Sequence, residues 1–190
     1  MKLVSLLWLL IFCLWTLAEL LLLLRTRQPG RDRGTLRLLW TTVALSITIG
    51  QFLRGFLGPS RLLAAPALHT RIQWMALLLL LAGTLLRLLA IRTLGRAFSV
   101  HVAVRTGQQV VQHGLYAHLR HPSYTALLLI LFATGLQTAN FAALALTFLP
   151  PLAALLRRIH VEEQVLANAF GPAYTDYCRR VPQRLIPGLW

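Results

Sequence analysis

Any chemistry in this chain must be done with few acids: its 190 residues hold five Asp and Glu against 19 Lys and Arg. Glu162 and Glu163 form the one adjacent acidic pair, and Arg158 precedes them. On a helix, Arg158 and Glu162 fall on one face at i, i+4 spacing. That spacing fits a solvated surface ion pair. On that observation alone a solvated helix start is the favoured reading. A second concentration of functional groups runs Gly114-Leu-Tyr116-Ala-His118-Leu-Arg120-His121-Pro122-Ser123-Tyr124. His121, before a proline, is biased toward extended backbone, and Pro122 can open a helix at its first position. The cluster reads either as an aromatic belt with a helix start, or as a site, because polar groups at membrane depth are costly and tend to be functional.

Several chemistries are missing. There is no Gly-x-Gly, hence no Rossmann fingerprint, and no Walker A, His-Glu-x-x-His or Gly-x-Ser-x-Gly sequence. Cys13 and Cys178 do not have metal-site spacing and are too far apart in sequence and setting to suggest a disulfide.

The elements that must position these residues are membrane helices. The chain is 57% apolar and 13% charged, against about 45–50% and about 25% in soluble domains. Apolar runs at about 3–24, 38–57 and 72–91 are each long enough for a bilayer core of about 30 Å. The first is too long for a signal-peptide core and lacks a cleavage site, so it reads as a retained span. Glu19 within it reads as a helix-packing polar group. Arg87, near the end of the third, is within reach of headgroups or a cavity. A polar stretch from Arg92 to Pro122, with Arg96, His101, Arg105 and His113, is too polar to span and too long for a turn; ordered connectors of that length are usually functional. Two further arms, 124–136 and 141–156, form a helical hairpin around Gln137–Asn140, with Pro150 and Pro151 expected to kink the second. A helix carrying Arg158 and Glu162 then leaves the membrane. The expected fold is therefore all-α and polytopic, with about five spans. It divides into two N-terminal spans (1–71) and a core (72–190) within one structural domain.

The net charge of +14 could signal nucleic acid in a soluble chain. Here the arginines cluster between apolar runs, at Arg25, Arg27, Arg31, Arg33 and Arg37, in the long connector and in the tail. That is the positive-inside pattern, with affinity for anionic membrane lipids and no nucleic acid partner. It places the N-terminus outside and the C-terminus in the cytoplasm.

Taken together, Gly114-x-Tyr116, Arg120-His121-Pro122-Ser123-Tyr124, Glu162-Glu163-x-x-Leu166, Phe170-Gly171-x-x-Tyr174-x-x-Tyr177 and Val181-Pro182 resemble the isoprenylcysteine carboxyl methyltransferases, over roughly 81 to the C-terminus. Phospholipid N-methyltransferases share part of the pattern. The resemblance implies an S-adenosylmethionine-dependent carboxyl O-methyltransferase with its cofactor in a cytoplasm-facing pocket. It assigns His101, Gln108, Gln109, Val110, Val111, Tyr116, His121, Pro122, Ser123, Tyr124 and Glu162 to the cofactor, and Arg158 to the substrate carboxylate. Gln108 and Gln109 depart from the His-Thr-type pair common in the family. The acceptor would be a prenylcysteine-like or other lipophilic acid drawn from the bilayer. The five-span form matches the shorter prokaryotic members and hence a prokaryotic plasma membrane.

The chemistry is compatible with so few titratable groups. An α-carboxyl has a pKa of about 3.3–3.7 and is already ionised, so methyl transfer to it needs no general base. Positioning alone can supply about 7–11 kcal/mol. Two alternatives stand beside this reading: transfer to a lipid amine or a thiol on the same scaffold, and a non-catalytic membrane binding protein.

Overall fold

The computed structural model describes residues 2–25, 34–60, 63–102, 104 and 107–188. Arg27, Arg31, Arg33, Arg61 and Arg105, which carry part of the expected charge asymmetry, lie outside these, as does the side chain of Arg25. The described elements are α1 (Lys2–Arg25), α2 (Thr35–Leu57), α3 (Pro66–Leu94), α4 (Pro122–Leu136), α5 (Phe141–Phe170) and α6 (Pro172–Arg180). Short 3₁₀ turns at Gly95–Ala97 and Gly114–Ala117 interrupt the connector between α3 and α4.

Each long helix buries one stripe and turns the rest outward. In α1 the stripe is Val4, Trp8, Trp15 and Glu19, while Leu3, Leu6, Leu10, Leu14, Leu17 and Leu21 stay exposed. Leucines on the outside are stable only where the surroundings are apolar, which makes this an integral membrane bundle. Among the described residues four helices, α1, α2, α3 and α5, are long and apolar enough to cross a membrane. The expected fifth span is α4, and its 15 residues extend only about 22 Å at 1.5 Å per residue, less than the core thickness.

Packing does not follow chain order. α3 packs on α1 and α4, α4 on α5, and α5 on α2. Small residues permit the close approaches. In α2 the buried stripe runs Thr35, Leu39, Val43, Ser46, Gly50, and a Cβ on Gly50 would strike the Thr147 hydroxyl of α5. A Cβ on Gly83 of α3 would lie 2.8 Å from Ile130 Cγ1 of α4, and one on Gly135 of α4 would lie 2.8 Å from Leu144 Cα of α5. Helix association in lipid relies on such contacts, since no hydrophobic force separates helix from tail.

The hairpin turn at 137–140 is held by polar bonds. Asn140 Oδ1 caps α5 by accepting from Ala143 N at 3.0 Å, and Asn140 Nδ2 donates to Gly58 O at 2.7 Å. Arg54 donates to Gln137 Oε1 at 3.1 Å. Beyond the turn, α5 departs from expectation. Rather than an arm ending near 156 and a separate helix, it is one 30-residue helix with Pro150 and Pro151 inside it. The prolines remove two N–H donors, but the rest of the ladder continues. Its length, about 45 Å, carries Glu162 and Glu163 beyond the part needed to span.

The glycine contacts give a matched test. Gly83→Ala forces a methyl into the α3–α4 contact and should lower detergent-solubilised thermal stability by about 1–3 kcal/mol. Gly55→Ala, on α2 with nothing within 4 Å of its Cβ position, should be neutral or slightly stabilising. Thermal unfolding followed by tryptophan fluorescence separates the two.

Candidate active site

A single pocket gathers the start of α2, the end of α3, the long connector, the start of α4, the end of α5 and α6. It encloses about 1120 Å³ of empty space, counting its open mouth. Two chain segments supply its polar wall with α5, and a third, which does not line it, braces them.

The first is the start of α4. Pro122 occupies the first turn of the helix, as its fixed φ favours, and His121 and Tyr124 project from the same turn. Their rings stack, with centroids 5.5 Å apart and planes 15° from parallel. The Tyr124 hydroxyl donates to Glu162 Oε2 at 2.5 Å and accepts from Arg158 Nε at 2.9 Å. Arg158 is almost fully buried, at 2% exposure. Its other nitrogens donate to Thr35 Oγ1 at 3.2 Å and to the Val100 carbonyl. An unbroken chain, Arg158–Tyr124–Glu162, therefore crosses the pocket wall between α4 and α5.

The second segment is the connector. His101 and Gln108 to Val111 line the pocket, as does Tyr116 from the second 3₁₀ turn. The Tyr177 hydroxyl of α6 donates to the Tyr116 carbonyl at 2.8 Å, and Arg180 donates to Gln112 Oε1 at 2.6 Å, so α6 holds the connector down. Burial, followed by the nearby Glu162 charge, pushes the Tyr116 phenol well above its ordinary pKa. It is neutral at any physiological pH and cannot serve as a base.

The third is the tail. Backbone N–H groups of Arg120 and His121 donate to the carbonyls of Gln183 and Arg184, each at 3.0 Å, and Thr125 Oγ1 donates to Leu185 O at 2.7 Å. Glu163 is the clasp, with Arg120 at 2.9 Å, His121 Nε2 at 3.2 Å and Arg184 at 3.0 Å. That contact with Glu163 holds the Arg184 guanidinium above its ordinary pKa.

The sequence-predicted residues are thus brought together, with one correction. His101, Gln108, Gln109, Val110, Val111, Tyr116, His121, Ser123, Tyr124, Arg158 and Glu162 all line this pocket. Pro122 does not: it is fully buried, and its ring shapes the first turn of α4 rather than facing the cavity. Other wall residues were not anticipated, including Trp40 and Leu39 of α2, Arg120, and Tyr174 and Tyr177 of α6.

Arg87, expected to reach headgroups or a cavity, reaches the cavity. It lines the pocket and pairs in parallel with Glu19 of α1, Nε to Oε1 at 2.8 Å and Nη2 to Oε2 at 3.0 Å. Nη1 donates to both the carbonyl, at 3.1 Å, and the hydroxyl of Ser123. Both charged side chains are nearly sealed from outside, Glu19 at 4% and Arg87 at 5% exposure. The signal was present in the sequence: one acid in an otherwise uncharged apolar run implies a buried cation opposite it.

Comparison with known proteins now adds to this geometry. Residues 75–168 match the model of the Isoprenylcysteine carboxyl methyltransferase (ICMT) family. Over this core the chain is similar to that family. The matched region holds the connector, α4 and most of α5, and so the Arg158–Tyr124–Glu162 chain. Protein-S-isoprenylcysteine O-methyltransferase B of Arabidopsis thaliana is 32% identical over 122 residues, covering 60% of this chain and 59% of the relative. Methanethiol S-methyltransferase 2 of Bradyrhizobium diazoefficiens is 38% identical over 85 residues, covering 45% of this chain and 31% of the relative. A solved structure of a eukaryotic intramembrane Ras methyltransferase, isoprenylcysteine carboxyl methyltransferase, superposes with a TM-score of 0.62 at 27% identity, covering 79% of this chain and 52% of that one. The chain therefore spans between about a third and three fifths of the length of these proteins. α1 and α2 lie outside the region matched by the ICMT family model, so the Glu19–Arg87 pair joins matched and unmatched parts.

Removing one member of a buried pair leaves an uncompensated charge, at about 3–5 kcal/mol. Glu19→Gln should lower thermal stability in detergent by about that amount, whereas Glu19→Leu combined with Arg87→Met should recover most of the loss. Additivity of the two single changes in a double-mutant cycle would show that the pair does not couple α1 to α3.

Proposed function

We propose that the chain is an S-adenosylmethionine-dependent methyltransferase acting on a lipophilic carboxylic acid of the prenylcysteine type. The observation that supports it most directly is the Arg158–Tyr124–Glu162 chain in the wall of a pocket between lipid-facing helices and a polar connector. Its members have complementary chemistries. Arg158 is a fixed planar cation suited to a carboxylate. Glu162 Oε1 has no protein hydrogen-bond partner among the described residues, and it offers an acceptor to amino or hydroxyl groups. The stacked faces of His121 and Tyr124, with Tyr116 beyond, suit an aromatic base or a sulfonium.

The donor set fits S-adenosylmethionine, whose parts are a purine, a ribose diol, an amino acid and a sulfonium. Residues 108–111, Tyr116, His121, Ser123, Tyr124 and Glu162 would hold it, with His101 at the edge. When bound, it supplies an electrophilic methyl on sulfur. With the sulfur as a leaving group that would keep the bond's electron pair, transfer of that methyl to a carboxylate would require no proton to move. Arg158 orients the carboxylate. Because the Tyr124 hydroxyl and the Val100 carbonyl share its guanidinium, it guides the nucleophile without quenching it. Tyr124 links that cation to Glu162, so the acceptor and cofactor positions are set by one hydrogen-bonded unit. We place the pocket mouth on the cytoplasmic side, in line with the arginine-rich loops.

A second reading is supported by the similarity to a methanethiol S-methyltransferase: transfer to a small thiol on the same scaffold. A thiol has no carboxylate for Arg158 to hold.

Purified protein in detergent should bind S-adenosylmethionine by calorimetry, and Glu162→Ala and His121→Ala should each weaken binding at least about tenfold. Methyl transfer to N-acetyl-S-farnesylcysteine should follow, with Arg158→Ala lowering kcat/KM by about 100-fold and Tyr124→Phe by about tenfold or more. Transfer to methanethiol that is unaffected by Arg158→Ala, with none to the farnesylated acid, would establish the second reading. A folded wild type that binds no cofactor would sink both.

A further inference from the structure

Arg158 divides the pocket by depth. Its guanidinium donates to Thr35 Oγ1, at the first residue of α2, and to the Tyr124 hydroxyl, in the first turn of α4. From that level α2 and α4 run into the bundle, while α5 runs out of it toward Glu162 and α6. At 1.5 Å per residue, Trp40 lies about 7.5 Å deeper along α2 than Thr35, and Leu127 about 4.5 Å deeper along α4 than Tyr124. Glu162 lies about 6 Å the other way along α5 from Arg158.

The lining follows the same division. The outer side is mixed, with Gln108, Gln109, Tyr116, Arg120 and Glu162. On the deep side Leu39, Trp40 and Leu127 are apolar, and the one cation there, Arg87, is already paired with Glu19. α2 and α3 both line the pocket, yet α2 packs on α5, and α3 on α1 and α4. No extensive helix pairing therefore closes the deep side between α2 and α3. Trp40 is half-buried and rests against the core of the bundle. Its indole N–H is buried without a hydrogen-bond partner among the described residues, so the ring meets the pocket as apolar bulk. Leu36 lines the pocket a turn nearer Arg158 on the same face of α2.

We propose that α2 gauges the acceptor, with Trp40 setting the length of apolar chain that fits behind a carboxylate held at Arg158. This rests on the carboxyl methyl transfer reading and names the residue that chooses among its substrates. A chain whose carboxylate sits at Arg158 avoids the polar outer side and gains from burial on the deep side. There its far end meets a rigid ring on a helix whose first residue is bonded to the same arginine. α2 lies outside the region that the family model matches, so the gauge belongs to the less shared half of the chain.

Protein in nanodiscs should be offered N-acetylcysteine carrying a geranyl, farnesyl or geranylgeranyl group, a series that grows by single isoprene units. Trp40→Ala should raise the geranylgeranyl-to-farnesyl ratio of kcat/KM at least about fivefold, with S-adenosylmethionine affinity by calorimetry held within about twofold. Trp40→Phe, which keeps an aromatic ring but no N–H, should move the ratio less. Leu36→Trp, which narrows the same face, should move selectivity the opposite way, toward the geranyl acid. Unchanged ratios in Trp40→Ala and Leu36→Trp would overturn the proposal. So would a Trp40→Phe shift as large as that of Trp40→Ala, which would assign the effect to the N–H. Loss of cofactor binding in Trp40→Ala would move the ring to the cofactor's side and overturn it too. Refusal of all three acids by cofactor-binding wild type would mean that the carboxylate reading itself had failed, and the gauge with it.

Discussion

One buried ion pair fixes much of this structure. Glu19 and Arg87 sit on helices with apolar flanks, where neither charge can be left unpaired. Their parallel two-bond contact sets the register of α1 on α3. The remaining donor of Arg87 reaches the Ser123 carbonyl and hydroxyl, so the start of α4 is tied to the same point. Backbone carbonyls in the first turn of a helix already have partners along the helix. A second, charged donor at Ser123 therefore adds a restraint on how α4 enters the bundle. His121 and Tyr124 flank Ser123, and their positions follow from it.

That entry point matters because α4 is too short to cross a full bilayer core. If its far end is fixed by the hairpin turn, with Asn140 bonded to Gly58 and Gln137 to Arg54, its near end stops inside the apolar zone. Polar backbone and side chains then lie at a depth where water does not reach them freely, and irregular backbone is tolerated there only when protein or a cavity covers it. The tail supplies that cover. Its carbonyls at Gln183, Arg184 and Leu185 take the donors of Arg120, His121 and Thr125, and Glu163 closes the seam electrostatically. The pocket is consequently bounded by lipid-facing α2 on one side and by the connector and α6 on the other. Such a site can be reached by an apolar acceptor and a polar cofactor along different routes.

Much of this was legible in the sequence, for identifiable reasons. His121, Tyr124, Arg158 and Glu162 stand in motifs whose internal spacing reports their placement: Pro122 starts a helix, and i, i+4 spacing aligns Arg158 with Glu162. The hairpin turn is readable as the short polar break, Gln137–Asn140, between two apolar arms. What failed depended on partners distant in sequence. Glu19 reads as a helix-packing group, which it is, but the sequence does not name its partner, which lies 68 residues away. Trp40 and Thr35 enter the site because α2 packs on α5, and no local pattern specifies that pairing. The resemblance assigns Pro122 to the pocket with its neighbours, yet a residue in a helix's first turn faces a direction set by helical rotation rather than by sequence adjacency. The separate helix expected after 156 is continuous with α5, since two adjacent prolines remove only two hydrogen bonds from a helix of 30 residues.

The site's economy in titratable groups is consistent with what methyl transfer to a carboxylate requires. A reaction that moves a proton needs a group poised near neutrality. Here the Tyr116 phenol is pushed further from neutrality by burial, and the acids are tied up as hydrogen-bond acceptors. Groups held in this way are well suited to fixing distance and angle. The same consideration separates the two acceptor chemistries: a thiol must lose its proton before or during attack and gains from a nearby base, whereas a carboxylate gains only from orientation. A wall in which a buried guanidinium donates to a phenol and the phenol donates to a carboxylate is organised for orientation.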